Sequence, residues 1–274
     1  MRSVTAIVIV ALCEIVHGQP GVRAGKTASG ISYDVQGSGP VVVLITGSNL
    51  DRRMWARETA WLTRDYTVVR YDLRAHGQSD TATVPFSHLG DLLDVLDTLK
   101  IPKAALVGLS AGSTIALDAA LEHPSRVESI VLSGPSISGF VMKERPAFFG
   151  DLMAALQAQD YKKAADVLLA TPVFAAPPPS QALVRQMVTE NDRLWTVSRD
   201  LMKGPARNAI DRLDEVRVPT LVLIGEHDLL QREHADLLGK SVKGARLVVI
   251  PGGGHLLNLT SPKEFEAAVS AFLK

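Results

Sequence analysis

Cysteine occurs once in this chain, at Cys13. A single thiol excludes an intrachain disulfide and any cysteine-based metal site. An excess of either charge is also lacking: 29 basic and 29 acidic residues cancel to a formal net charge of zero. That balance leaves no electrostatic footprint for nucleic acid or an anionic membrane surface. No internal repeat is visible, and the only low-complexity tract is Pro177-Pro178-Pro179. The apolar run at residues 4–13 is too short for a comfortable membrane crossing, so no stable span is expected.

What is present is ordinary globular material. Apolar residues make up 46% of 274 and charged residues 21%, enough to bury the core of one large α/β domain or two small ones. The N-terminus has its own pattern. Arg2, the apolar run, and Val16-His17-Gly18 before Gln19 match a secretory leader over residues 1–18, although Glu14 is unusual in such a segment. Export to the periplasm or medium is the expectation, with a cytoplasmic protein as the alternative.

The centre of the sequence is Gly108-Leu109-Ser110-Ala111-Gly112. A short buried-strand pattern over 103–107 precedes it, and a helix pattern rich in small residues follows until Pro124. Strand, G-x-S-x-G and helix together are the context of a nucleophile elbow. The turn is too sharp for side chains at its shoulders, which explains the two glycines. Ser110 is expected in a strained backbone conformation with its hydroxyl above the sheet. The helix N-terminus behind it offers N–H groups and partial positive charge to a developing oxyanion.

Further apolar runs flank this unit. Residues 40–46, 66–71, 127–132, 220–224 and 246–250 read as strands covered on both faces. Residues 30–36 fit a first hairpin segment ahead of the turn Gly37-Ser38-Gly39-Pro40. Leu89, Leu92, Leu93, Leu96 and Leu99 recur at helical spacing. Strands alternating with helices imply a mostly parallel sheet with helices on both faces, binding ligands at the carboxyl ends of its strands. Residues 140–213 break the pattern: they show helical periodicity and no strand. The expected organisation is an α/β core over 25–139 and 214–274, interrupted by a helical cap over 140–213. Ser261, Pro262 and Glu264 read as the capping box of a last helix.

A serine hydroxyl is a poor nucleophile at neutral pH and needs a base, which in turn needs an orienting group. Asp228 follows the 220–224 strand and His255 follows the 246–250 strand. The chain order Ser110, Asp228, His255 is that of a nucleophile-elbow hydrolase. Glu226 and His227 are close rivals for the acid and base. His76 lies in a turn whose arginine and glycines read as structural. Asn258-Leu259-Thr260 matches a glycosylation acceptor, but it stands beside His255.

The pattern from about residue 30 to the C-terminus resembles the α/β-hydrolase superfamily, on the elbow at 108–112, the 72–79 turn (Asp-Leu-Arg-Ala-His-Gly-Gln-Ser), Asp228 and His255. The resemblance implies an α/β-hydrolase fold, with Ser110 as nucleophile, His255 as general base then acid, and Asp228 orienting it. It also implies an oxyanion hole from the backbone N–H groups of Ala111 and Ser48. Thr46 stands where the family usually has histidine before glycine, a departure that a backbone donor should survive. Among family members, small esterases, enol-lactone hydrolases and cofactor-free haloperoxidases look most similar. The implied chemistry is acyl transfer on a small-molecule ester or lactone, without metal or cofactor. Carbon–carbon bond hydrolysis, perhydrolysis, and a ligand receptor that retains the triad are the alternatives. Phe148, Phe149, Phe174 and Trp195 of the cap are candidates to shape the substrate pocket or to pack its core.

Overall fold

A computed structural model describes residues 21–274. The expected leader at 1–18 and its cleavage before Gln19 lie outside the described residues. Eight strands form one sheet: β1 (Arg23–Lys26), β2 (Ser32–Gly37), β3 (Val41–Ile45), β4 (Thr67–Tyr71), β5 (Ala104–Leu109), β6 (Val127–Ser133), β7 (Thr220–Gly225) and β8 (Arg246–Ile250). Their order is β1-β2-β4-β3-β5-β6-β7-β8. The β1–β2 and β2–β4 pairs are antiparallel, and every pair from β4 across to β8 is parallel. The sheet begins at Arg23, two residues before the expected boundary, because the first hairpin includes a short exposed strand without an apolar signal.

The apolar runs are explained by two cores. Along β3, Val43 and Ile45 enter one cluster while Val42 and Leu44 enter the other. The first cluster is closed by α2 (His88–Thr98), α3 (Ala111–Glu122) and α7 (Arg232–Ser241). The second is closed by α1 (Ala56–Leu62) and α9 (Pro262–Leu273), which supply Leu62, Phe265 and Val269. With side chains alternating across the sheet and helices on both faces, β3, β5 and β7 are apolar almost throughout. The reading of 246–250 as covered on both faces is corrected: β8 is the edge strand, and Arg246 and Val249 are exposed.

Between β6 and β7 the chain forms α4 (Phe148–Gln157), α5 (Tyr161–Leu169) and α6 (Pro178–Glu190), then a series of short 3-10 turns. Pro178 at the first position of α6 costs no hydrogen bond there. Ala165, Leu168, Phe174, Val184, Met187 and Val188 bury this segment against the second core. It also touches the sheet domain through the pairing of Phe86 with Met202.

One local expectation is corrected. Ser261 caps α9 by position, but its side chain makes no capping hydrogen bond. The residue also ends α8 (Leu257–Thr260), and that double duty sets its backbone at φ −138°, ψ 59°. An N-cap that aims its hydroxyl at the next turn needs an extended backbone.

Candidate active site

Strands running parallel deliver their carboxyl ends to one edge, and that edge carries the expected triad and the Ser48 loop. Ser48 follows β3, Ser110 follows β5, Asp228 follows β7 and His255 follows β8.

Ser110 adopts φ +53° and ψ −116°. A non-glycine residue at positive φ costs about 1–3 kcal/mol and persists only when its surroundings hold it. They do: its N–H donates to Ser133 O at 2.9 Å, and its carbonyl accepts from Ser113 N at 2.9 Å and Ser113 Oγ at 2.5 Å. The shoulders permit no side chain. A Cβ on Gly108 would meet Gly112 O at 2.2 Å, and one on Gly112 would meet Ile45 O at 2.3 Å. Gly47 is similarly close, with its Cβ position 3.2 Å from Ser110 Cβ.

His255 and Asp228 are 3% and 4% exposed. His255 Nδ1 lies 2.7 Å from Asp228 Oδ2, while Oδ1 accepts the Gln231 N–H at 3.3 Å. A carboxylate at Nδ1 selects the tautomer that leaves Nε2 unprotonated. Ser110 Oγ and His255 Nε2 are not closed into a hydrogen bond among the described residues. In a free enzyme such contacts are often long and tighten with substrate bound. Gly134 joins the two halves of the site. It follows Ser133, the acceptor of the Ser110 N–H, and a Cβ on it would stand 2.8 Å from His255 Nδ1 and 3.2 Å from Asp228 Oδ2. Glu226 is exposed and its Oε2 accepts the Gly252 N–H at 2.8 Å. His227 is exposed on the rim.

Among the described residues the N–H groups of Ser48 and Ala111 donate to no protein acceptor, which leaves both available to a ligand. Thr46 is fully buried and its hydroxyl has no partner there. The loop after it is held by His76, whose Nε2 accepts the Asn49 N–H at 3.1 Å and whose Nδ1 lies 2.9 Å from Arg74 O. Because an amide N–H only donates, Nε2 is the bare nitrogen and Nδ1 carries the proton. Burial pushes His76 down to about 4, so it is neutral at pH 7. Arg74 is itself buried in an ion pair with Asp91, in keeping with a structural turn.

Three cavities open on this edge. One of about 860 Å³ includes Asp228, His255, Phe140, Phe148 and Val173 in its wall. A second, about 430 Å³, is bounded by Ser48, His76, Met153 and Trp195. A third, about 350 Å³, is bounded by Ser48, Ala111, Thr114, Ile115 and Asp118. Burial raises the Asp118 carboxyl to about 6, opposed by a hydrogen bond from Ser138. Of the four aromatics singled out between 140 and 213, Phe148 and Trp195 line cavities, Phe174 is core, and Phe149 stacks under the Arg145 guanidinium. Asn258 of the acceptor-like tripeptide is 1% exposed and donates to Met54 O and Glu58 Oε2, so its amide is closed to glycosylation in the folded chain. Among the described residues no group of three or more His, Cys, Asp or Glu side chains could hold a metal, and no helix is long and apolar enough to cross a membrane.

Sequence reading missed Gly134 and Asn191. Asn191 follows α6, is buried, and hydrogen bonds to Asn49 O, Asp51 Oδ2 and Gly77 N. Neither carries a local signal, since their partners are distant in sequence.

A profile described as "Alpha/beta hydrolase family" matches residues 42–268. A Pseudomonas syringae pv. syringae protein assigned as a carbamate hydrolase, RutD, is 30% identical over 85% of this chain and 93% of its own. The 3-oxoadipate enol-lactonase 1 of Acinetobacter baylyi is 27% identical over 92% of this chain and 95% of its own. Among solved structures, the enol-lactonase from Burkholderia xenovorans LB400 superposes with a TM-score of 0.77 at 25% identity, covering 92% of this chain and 99% of the other.

Proposed function

Because the chain belongs to the alpha/beta hydrolase family, and is a hydrolase in keeping with its relatives, we propose that it cleaves a small carboxylic ester or lactone through a Ser110–His255–Asp228 triad. The observation that carries this reading is Ser110 held at φ +53° above the sheet, on the same edge as a buried His255 whose Nδ1 is 2.7 Å from Asp228.

In this mechanism Ser110 Oγ attacks the carbonyl carbon while His255 Nε2 takes its proton. The carbonyl π electrons move onto oxygen, which the N–H groups of Ala111 and Ser48 stabilise. Collapse of the tetrahedral adduct expels the alkoxide, to which His255 returns the proton. A water molecule deprotonated by His255 then attacks the acyl-enzyme and releases the acid and Ser110. Asp228 holds the imidazole and stabilises the imidazolium throughout. No step calls on a cofactor. The enol-lactonases among its relatives favour a lactone within this substrate class. The helical segment at 140–213 serves as a cap, supplying Phe148 and Trp195 to the cavity walls. Residues 1–18 serve as an export leader, so mature protein from the native host should begin near Gln19; retention of Met1 in a cytosolic pool would overturn that part.

The deciding experiment is covalent labelling with a fluorophosphonate beside turnover of short p-nitrophenyl esters and lactones. Wild-type protein should label and turn over, and Ser110→Ala should do neither while remaining folded. A wild-type chain that binds these compounds saturably without labelling or turnover would favour the receptor alternative.

A further inference from the structure

The helical segment reaches back into the loop that carries Ser48. Asn191 is 1% exposed, and its side-chain amide is fully engaged. Nδ2 donates to Asn49 O at 3.2 Å and to Asp51 Oδ2 at 3.2 Å, and Oδ1 accepts the Gly77 N–H at 2.7 Å. The partners fix which way round the amide sits, since Gly77 N–H can only donate and Asn49 O can only accept. Asn49 itself is at φ +63°, a conformation that needs outside support in a residue with a side chain. Its N–H is taken by His76 Nε2 and its carbonyl by Asn191. The residue next to Ser48 is therefore gripped on both sides.

From this juxtaposition we infer that Asn191 is a positioning residue for the oxyanion hole: the segment between β6 and β7 sets the direction of the Ser48 N–H by holding the Asn49 carbonyl. The inference rests on the proposed role of Ser48. A second contact separates positioning from plain attachment. Arg193, two residues on, donates to Gly77 O and Ser79 O. It ties the same segment to the same turn, but among the described residues its hydrogen bonds go to that turn and none to Ser48 or Asn49.

The test uses the full-length protein, the best p-nitrophenyl ester found, and phenylboronic acid, which forms a tetrahedral adduct on the serine with an oxygen in the oxyanion hole. Loss of one oxyanion donor costs about 10²–10³ in kcat, and a misdirected donor should cost part of that. Asn191→Ala should lower kcat roughly 10- to 100-fold, with KM within about threefold and boronate affinity falling with kcat. Arg193→Ala should leave kcat within about twofold and lower thermal stability alone. Should Asn191→Ala fail to fold, Asn191→Ser, which stays polar but is too short to span from Gly77 to Asn49 O, should show the same kcat loss. Near-normal kcat in a folded Asn191 variant, or an equal kcat loss in Arg193→Ala, overturns the inference while the serine-hydrolase reading stands. Wild-type protein that neither labels with fluorophosphonate nor turns over any ester overturns that reading, and the inference with it.

Discussion

Glu226 Oε2 accepts the backbone N–H of Gly252 at 2.8 Å. This bond ties the loop after β7 to the loop after β8, and those loops carry Asp228 and His255. It does so from the solvent side, whereas Asp228 reaches the imidazole from within. Two carboxylates two residues apart thus hold different things, a loop and a ring.

That difference separates their variants. Asp228→Asn removes the anion at His255 Nδ1 and lets the wrong tautomer form. By analogy with other triads, kcat should fall by on the order of 10⁴ with little change in KM. Glu226→Gln keeps an acceptor for Gly252 and should cost less than about tenfold. Steady-state kinetics on both variants decide it, and the reverse order would move the acid to Glu226.

Gly134 offers a sharper geometric test. Its φ is +49°, and a methyl group would stand 2.8 Å from His255 Nδ1. The ring must move, since the backbone of Gly134 is fixed by its bond to Leu223 O. A displacement near 1 Å at a reacting group costs about 10²-fold. Gly134→Ala should therefore lose about that in kcat while far-UV circular dichroism stays unchanged. Full activity would mean that His255 is not held where this geometry puts it.

The strands and their terminal residues were legible because parallel strands buried on both faces have no polar alternation, and such runs stand out. Ser110 and Asp228 each follow one, and His255 follows the apolar but half-exposed edge strand β8, so sheet topology alone predicts their common edge. Gly134 and Asn191 were illegible for the opposite reason. Ser133-Gly134-Pro135 reads as any turn, and its constraint is the His255 ring beyond the helical segment. Asn191 has partners 142, 140 and 114 residues away, which no local pattern encodes. The Ser261 capping box failed because two helices share one residue, a matter of chain path rather than composition.

His76 should reveal itself through pH. Its ordinary value of 6.5 is pushed down to about 4 by burial. Between these values the unfolded chain binds the proton and the folded chain does not. The stability His76 contributes is therefore present above about 6.5 and lost as pH falls toward 4. His76→Gln removes that dependence. The variant should be less stable than wild type at pH 7, through the loosened Asn49 contact, and the gap in Tm should narrow by pH 4.5. A gap that stays constant across this range would show that His76 does not titrate abnormally.

Glu58 should behave in the opposite sense. It is 1% exposed on α1, and burial raises its carboxyl from 4.5 to about 7, with Asn258 and Arg57 opposing the rise and Glu266 adding to it. Asn258 Nδ2 donates to Oε2 at 3.3 Å, while Glu58 Oε1 and Asn258 Oδ1 have no partner among the described residues. Above pH 4.5 the unfolded carboxyl ionises, whereas the folded one holds its proton until about 7. The folded state thus binds more protons in this window, and stability falls as pH rises through it. Glu58→Gln removes the charge and brings a donor into a place that has an unpaired acceptor. Every other titrating group is common to both proteins, so the informative quantity is the difference between variant and wild type. Urea unfolding should give similar stabilities at pH 5. By pH 8 the variant should lead by on the order of 2–3 kcal/mol, from about 1.4 kcal/mol for each pKa unit. A difference that is flat between pH 5 and 8 would mean that Glu58 ionises normally and that its burial costs the charged form nothing.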